Sequence, residues 1–316
     1  MLRQRAALLQ HVRSFFDARD FLEVETPLLS HDTVVDRHLD PFATRHVPDP
    51  TRPGQGTELF LQTSPEFGMK RLLAAGAGAI YQITRSFRNG ERGPLHNPEF
   101  TILEWYRPGD DYQQGMQLLA DLAKELSGAA TIARLTYHQV FQEHYQLAPH
   151  TAPLEELQLA ATRAGLHPPA SLGADRDGWL DFLLTERIQP RLGLEAPVIL
   201  CDYPASQAAL AQTRFDRALD CQIAERFELY WRGIELANGY HELLDPAVLR
   251  ARNAANNALR VSDGKPALPD ESRLLAAMEQ GLPACSGCAL GLDRLLMLRS
   301  GSATIEQVLA FPLERA

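Results

Sequence analysis

Residues 85–106 constrain the fold most strongly, because two stretches with strand-like alternation flank the glycine-rich sequence GERGP. Side chains of a strand alternate between its faces, so Arg88 is expected on the face opposite Arg85. On the second strand, Phe100 and Glu104 are expected to share a face with Ile102 between them. A hairpin that carries a guanidinium, an aromatic ring and a carboxylate suits a ligand with a phosphate, a flat base and a cationic end.

The composition predicts a globular protein that functions in the cytoplasm. Of the 316 residues, 45% are hydrophobic and 22% are charged, which excludes wholesale disorder. No apolar run approaches the roughly 18 residues of a membrane helix, and the first residues lack the apolar core of a signal peptide. The four cysteines are too few for a disulfide framework in a chain of this size. We therefore expect no membrane contact.

The charge balance lowers the expectation of a nucleic-acid partner. The chain has 31 Lys and Arg residues against 40 Asp and Glu residues, and its net charge is −9. Proteins that grip a polyanion usually present a basic face, and no basic cluster stands out in this sequence. We therefore do not expect transfer RNA as a partner.

Hydrophobic periodicity and turn residues predict a mixture of helices and strands. A helical stripe covers residues 3–19, and a short helix follows SPE at 64–66. Other predicted elements are a loop at 47–57, a strand at 59–62, helices between 115 and 190, a strand at 197–201, a hairpin at 223–236 that turns at Arg232-Gly233, and helices between 245 and 280 broken at 262–269.

Three segments resemble the class II aminoacyl-tRNA synthetases, in the form carried by lysyl-tRNA synthetases. Residues 85–106 resemble motif 2, and residues 21–29 (FLEVETPLL) resemble motif 1, in which a strand with Pro27 usually lies at a dimer interface. Residues 287–297 (GCALGLDRLLM) resemble motif 3, a strand that leads into a helix with Arg294 on its first turn. With SPE and IELANGYHEL (234–243), the resemblance covers most of the chain.

The resemblance implies an α+β class II catalytic core, with a mixed, mostly antiparallel sheet flanked by helices. We expect one domain over residues 1–316, with a helical insertion at about 113–195. Motif 1 begins about twenty residues from Met1, too few for the N-terminal anticodon-binding barrel of lysyl-tRNA synthetases. The chain thus resembles a truncated paralogue family, the elongation factor P--(R)-β-lysine ligases. Ala289 replaces a glycine of the tRNA enzymes and matches these paralogues.

The resemblance also implies an ATP site, in which Arg88 and Arg294 are the catalytic residues. Arg88 would bridge the substrate carboxylate and the α-phosphate, while Arg294 and Phe100 would enclose the adenine. Gly90 stands where lysyl-tRNA synthetases have glutamate, and Glu91 follows it. The implied ATP-binding residues are Arg88, Asn89, Glu91, His96, Asn97, Phe100, Glu235, Leu236, Gly291 and Arg294. Glu228 and Glu235 would hold Mg²⁺, which favours carboxylate and phosphate oxygens.

Several glutamates would bind the amines of a diamino acid. By resemblance, Glu104, Tyr106 and Glu242 converge on the distal ammonium, and Glu66 lies near the other amine. Each glutamate alone is more often a surface charge, but Glu104 lies in an apolar run and is expected to be buried with a partner. The implied substrate-binding residues are Ser64, Pro65, Glu66, Glu104, Tyr106, Asn238, Glu242 and Ala289.

The implied function is ATP-dependent activation of (R)-β-lysine as an adenylate and its transfer to a lysine of elongation factor P, by a homodimer. Two alternatives remain: a lysyl-tRNA synthetase core that aminoacylates RNA, and a catalytically silent regulatory paralogue. Arg88, Glu235, Glu242 and Arg294 are all present, which argues against the silent paralogue. Cys285-x-x-Cys288 lacks a second ligand pair, so structural thiols are expected there, and Cys201 and Cys221 are expected to be buried.

Overall fold

The structure is a computed structural model that describes all 316 residues. The helices are α1 (Leu2–Asp17), α2 (Glu66–Ala74), α3 (Tyr112–Ser127), α4 (Tyr137–Tyr145), α5 (Leu154–Arg163), α6 (Arg176–Leu183), α7 (Pro246–Ser262), α8 (Arg273–Gln280) and α9 (Leu292–Ser300). The strands are β1 (Leu22–Glu23), β2 (Leu29–Ser30), β3 (Ala43–His46), β4 (Thr57–Leu61), β5 (Ile80–Phe87), β6 (Glu99–Pro108), β7 (Ala133–Thr136), β8 (Val198–Pro204), β9 (Thr213–Asp216), β10 (Cys221–Trp231), β11 (Ile234–His241) and β12 (Cys285–Gly291).

The contacts between residues divide the chain into two compact units. The first unit comprises Met1–Gly109, Leu244–Cys285 and Ala289–Ala316. The second comprises Asp110–Leu243 and Ser286–Cys288. No helix is both long and apolar enough to cross a membrane.

The first unit is built around the hairpin of β5 and β6. These strands pair antiparallel from Ile80 opposite Tyr106 to Phe87 opposite Glu99, and β1 adds to β5 in parallel. Helix α1 packs its apolar side on this hairpin, where the Phe16 ring stacks on Tyr81 with centroids 4.7 Å apart. Burying an aromatic side chain of this size stabilises a fold by about 1.5–3 kcal/mol. The packing of α1 therefore supports one face of the hairpin. A separate three-stranded sheet of β2, β4 and β3 lies within the same unit.

A buried carboxylate ties the two ends of the first unit to this hairpin. Asp293, at the start of α9, accepts the backbone N–H of Thr101 at 2.6 Å and pairs with Arg5 of α1. Arg5 also donates to the carbonyl of Val308 at 3.1 Å. Charge-assisted hydrogen bonds are stronger than neutral ones, so Asp293 fixes α1, β6 and α9 relative to one another.

The second unit contains a mostly antiparallel sheet and a helical layer. Strand β10 pairs antiparallel with β8, β9 and β11, while β7 pairs with β8 in parallel. The β10–β11 turn consists of Arg232 and Gly233, whose φ angles are 52° and 73°. Positive φ at both central residues is the geometry of a type I′ turn, which matches the twist of paired strands. Helices α4, α5 and α6 cover one apolar core of this unit.

Most of the elements predicted from the sequence are confirmed, and three expectations were wrong in detail. The strand expected over residues 21–29 consists of two short pieces, β1 and β2, because Pro27 between them has no N–H for a sheet ladder. Strand β7 interrupts the region expected to be helical. Cys201 is buried, but Cys221 is only half-buried because it begins β10 opposite the short strand β9. The single-domain organisation over residues 1–316 stays a prediction.

Candidate active site

Arg88 lies one residue past the end of β5, over the ring of Phe100. Its guanidinium carbon is 5.0 Å from the ring centre, and its Nε donates to the carbonyl of Thr63 at 3.4 Å. The backbone N–H of Arg88 donates to Pro98 at 2.9 Å, which continues the hairpin ladder. A cation held over an aromatic face near a strand end can bind a phosphate while the ring stacks on a base.

The loop after Arg88 brings Glu91 and His96 towards that guanidinium. Gly90 has a φ of 81°, a left-handed conformation that glycine adopts easily and that permits a sharp turn here. This is the position at which the resemblance to lysyl-tRNA synthetases would place a glutamate. Glu91 lies 3.6 Å from Arg88 and 3.9 Å from Nε2 of His96. The displaced carboxylate therefore still reaches this cluster, although its contact with ATP stays a prediction.

Arg294 and His96 form the other side of this cluster. The Arg294 guanidinium donates to the carbonyl of Leu95 at 3.2 Å, and its Nη2 lies 2.6 Å from Nε2 of His96. Burial and the charge of Arg294 lower the pKa of His96, with Glu91 opposing and Arg88 adding to the effect. The imidazole is therefore neutral at physiological pH, accepts the arginine N–H at Nε2 and carries its proton on Nδ1.

The two asparagines of the implied ATP site differ in their surroundings. Asn97 is buried, donates to the carbonyl of Glu99 at 2.7 Å and accepts the N–H of Leu313 at 3.2 Å. Both ends of its amide thus hold backbone, which gives it a clear structural role. Asn89 is exposed, and its backbone N–H donates to Asp40 at 2.7 Å.

Two carboxylates of the first unit, those of Glu104 and Glu66, are more buried than the side chains of Arg88, Glu91 and His96. Glu104 is 1% exposed and accepts the hydroxyl of Tyr106 at 2.5 Å, so the expectation of burial with a partner is confirmed. Glu66 begins α2 after Ser64 and Pro65, and its Oε1 accepts Nζ of Lys70 at 2.5 Å. The sequence interpretation missed Lys70, although its spacing of four residues from Glu66 on a helix is a signal for such a pair.

In the second unit, Glu228 is engaged on both oxygens by protein groups. Arg226 donates to its Oε1 at 2.5 Å, and Tyr203 and Tyr230 donate to its Oε2 at 2.6 and 2.5 Å. Burial and the charge of Glu228 raise the pKa of both tyrosines, which remain donors. Sequence reasoning did not foresee this network. Arg226 and Tyr230 lie two residues either side of Glu228 on β10, a spacing that places them on one face of the strand, whereas Tyr203 is 25 positions away on β8.

The other residues predicted in the second unit lie on β11 or, in the case of Glu242, directly after it. Glu235 is half-buried opposite Tyr230, and its charge contributes to the raised pKa of that tyrosine. Asn238 pairs with Glu228 across the strands, and its Oδ1 is buried without a hydrogen-bond partner. That oxygen is an acceptor available to a ligand N–H. Leu236 and Glu242 are both buried.

The two predicted Mg²⁺ ligands fit the ion unequally. Glu235 offers a partly exposed carboxylate, as a hard cation with bound phosphates requires. Glu228 would have to release Arg226 or a tyrosine first. No group of three or more His, Cys, Asp and Glu side chains is arranged to hold a metal. Mg²⁺ would therefore depend on the phosphates for most of its ligands.

Motif 3 has the structure that the resemblance implied. Strand β12 carries Ala289 and Gly291 on one face, and Arg294 follows on the first turn of α9. Cys285 and Cys288 are buried on β12 and form no disulfide. Alternation places these two thiols on opposite faces of the strand.

Comparison with known proteins agrees with these features. Residues 1–315 match the family described as tRNA synthetases class II (D, K and N). An elongation factor P--(R)-beta-lysine ligase of Salmonella dublin is 46% identical over 317 residues, covering 100% of this chain and 95% of that protein. A protein of the same name from Vibrio vulnificus (strain YJ016) is 47% identical over 313 residues, covering 98% of this chain and 95% of its own length. The chain therefore belongs to the class II tRNA synthetases of the D, K and N family.

Proposed function

We propose that this chain activates (R)-β-lysine with ATP and transfers the β-lysyl group to a lysine side chain of elongation factor P. The names of relatives at 46% and 47% identity support this substrate and acceptor. The net charge of −9 also favours a protein acceptor over RNA, because it offers little attraction for phosphates.

One observation carries the proposal: a single strand presents a base-stacking ring and a buried amine-binding carboxylate. Phe100, next to Arg88, and Glu104 are four residues apart on the same face of β6. The rise of a strand separates them by about 13 Å. An extended aminoacyl adenylate can place its base at Phe100 and direct a distant ammonium towards Glu104. A carboxylate buried to 1% exposure selects strongly for a cation.

The residues present suit carboxylate activation, which needs no side-chain nucleophile. A carboxylate oxygen of the substrate attacks the α-phosphorus of ATP, and pyrophosphate leaves. The amine of the acceptor lysine, after losing its proton, then attacks the carbonyl carbon, an amide forms and AMP leaves. Arg88 neutralises charge at the α-phosphate, while Arg294, oriented by neutral His96, does so further along the phosphates. Mg²⁺ at Glu235, when bound, would neutralise further phosphate charge.

The proposal includes a homodimer formed through the motif 1 segment. Leu22, Leu28 and Leu29, on either side of Pro27, are 64%, 38% and 46% exposed. A group of exposed leucines on one short segment is typical of an interaction surface. A second copy of the chain would bury these side chains.

A cleft next to this segment supports the same assembly. Pro27 and Leu29 line it. Thr33 Oγ1, Gln62 Nε2 and Thr63 Oγ1, whose residues also line the cleft, are buried without hydrogen-bond partners. Buried polar atoms in native proteins are almost always satisfied, and groups from a partner subunit would satisfy these.

The decisive experiment supplies both acceptors. The protein is incubated with ATP, labelled (R)-β-lysine, and either purified elongation factor P or total tRNA, with the Arg88→Ala variant as the inactive control. We expect label in the protein acceptor as a hydroxylamine-stable amide. Efficient labelling of tRNA with an unlabelled protein acceptor would refute the proposal and favour the aminoacylating alternative. No pyrophosphate exchange with any lysine isomer would instead favour the silent paralogue.

A further inference from the structure

Lys70 is an almost completely buried lysine beside the proposed amine-binding residues. Its side chain is 1% exposed, and lysine is among the residues that proteins bury least often. It lies on α2, one helical turn after Glu66, and α2 packs on β6. Burying this ammonium requires a counter-charge and a reason beyond helix stability, because helical ion pairs contribute only about 0.2–0.5 kcal/mol.

The ammonium of Lys70 lies beside one carboxylate and near the tyrosine whose hydroxyl binds a second. Its Nζ donates to Oε1 of Glu66 at 2.5 Å and lies 5.9 Å from the centre of the Tyr106 ring. The hydroxyl of that tyrosine donates to Glu104 at 2.5 Å. One cation therefore fixes Glu66 directly and contacts the side chain that holds Glu104.

The arrangement at Glu66 leaves one oxygen for a ligand. Oε1 is held by Lys70, and the side chain of Glu66 remains 11% exposed, so Oε2 can still meet a bound molecule. The pair of Lys124 and Asp121 is a useful contrast: it is 3.7 Å long, with side chains 38% and 39% exposed. That pair is an ordinary surface ion pair and holds nothing in a fixed direction.

We propose that Lys70 is a positioning residue that fixes the free oxygen of Glu66 against the substrate amine nearest the reacting carboxyl. This inference rests on the proposed function. The amines of α-lysine and (R)-β-lysine at that end differ in position by one carbon atom. A carboxylate held at one oxygen distinguishes the two positions, whereas a freely rotating carboxylate adapts to both. Lys70 therefore contributes to the choice between the isomers without touching the reacting atoms.

The test compares Lys70→Met, Lys70→Arg and, as the matched control, Lys124→Met. Pyrophosphate exchange gives kcat and KM for (R)-β-lysine, α-lysine and ATP, and thermal unfolding verifies each fold. We expect Lys70→Met to raise the KM for (R)-β-lysine about ten- to a hundredfold, the range of a lost charged hydrogen bond. The preference for (R)-β-lysine should shrink, the KM for ATP should stay within about twofold, and Lys70→Arg should recover part of the loss. Lys124→Met should resemble the wild type.

Each outcome decides the inference. An unchanged isomer preference in folded Lys70→Met, or equal losses for ATP and the amino acid, would overturn it. If Lys70→Met does not fold, Lys70→Arg decides: its different reach must change the isomer preference with the KM for ATP unaltered. Wild-type protein that exchanges with no lysine isomer would refute the proposed function itself, which distinguishes that failure from this one.

Discussion

Replacing Arg88 with alanine should abolish most adenylate formation and leave the fold nearly intact. In the folded protein this guanidinium contacts the Phe100 ring at 5.0 Å and Glu91 at 3.6 Å, with its side chain 26% exposed. A cation–π contact at such a site contributes about 0.5–1 kcal/mol, and a partly exposed ion pair contributes about 0–1 kcal/mol. Losing a preorganised donor to transition-state charge costs about 2.7–4 kcal/mol, or about 10²–10³ in kcat. The effect on rate should therefore far exceed the effect on stability.

Arg85→Ala is the matched control for this prediction. Arg85 lies on β5 three residues before Arg88, is expected from the alternation to face the opposite side, and donates to Thr101 at 3.0 Å. Pyrophosphate exchange and thermal unfolding should be measured for both variants. We expect Arg85→Ala to keep exchange within about twofold of the wild type, as a surface substitution away from the site should. A folded Arg88→Ala variant with near-normal exchange would refute the assignment of Arg88 to the α-phosphate.

Three further predictions address other residues of the site and the dimer. Glu104→Gln should raise the KM for (R)-β-lysine by about ten- to a hundredfold and leave the KM for ATP unchanged. The control variant Glu99→Gln, at an exposed position of the same strand, should change neither KM. Equal increases in both KM values for Glu104→Gln would contradict this prediction. The pKa of His96 in the folded protein lies below the ordinary histidine pKa. The neutral imidazole and its hydrogen bond from Arg294 are therefore fully present above the ordinary histidine pKa, and both are lost as the pH falls through the lowered pKa of His96. The KM for ATP, measured between about pH 5 and 8, should therefore rise on the acid side, and less so in His96→Gln; identical profiles would count against this role. Sedimentation of the wild type should give a mass of twice the 35.1 kDa chain. Leu29→Glu should lower the measured mass towards that of a single chain, because it places a charge on the exposed leucine surface. A wild-type mass of one chain at micromolar concentration would refute the dimer.

The sequence predicted the parts of the fold whose pattern is local. The alternation of residues 85–106 predicted the β5–β6 hairpin, and Arg232-Gly233 predicted the β10–β11 turn. The apolar stripe of residues 3–19 predicted α1, whose buried side chains include Phe15 and Phe16. Turn residues and periodicity act over a few residues, so a single sequence contains that information.

Contacts between distant residues could not be derived in this way. Tyr203, which donates to Glu228, lies on β8, and no spacing rule connects the two residues. The alternation of β10, by contrast, places Arg226 and Tyr230 on the face of Glu228. Lys70 was missed for a different reason: helical lysines are usually exposed, so the residue type concealed its burial. Motif 1 could be recognised from the sequence, but its division into two short strands on either side of Pro27 was not predicted.

The tie between Asp293 and Arg5 has a consequence for folding during synthesis. The two residues are 288 positions apart, and the first unit consists of three separate stretches of chain. At about 5–20 residues per second, a ribosome needs about 15–60 s to make the partner that α1 requires. The second unit is nearly continuous from Asp110 to Leu243 and can form earlier. Phe16 of α1 can pack on Tyr81 well before then, but Arg5 lacks its buried counter-charge until Asp293 has been made, so the final fixing of α1 is a late step of folding.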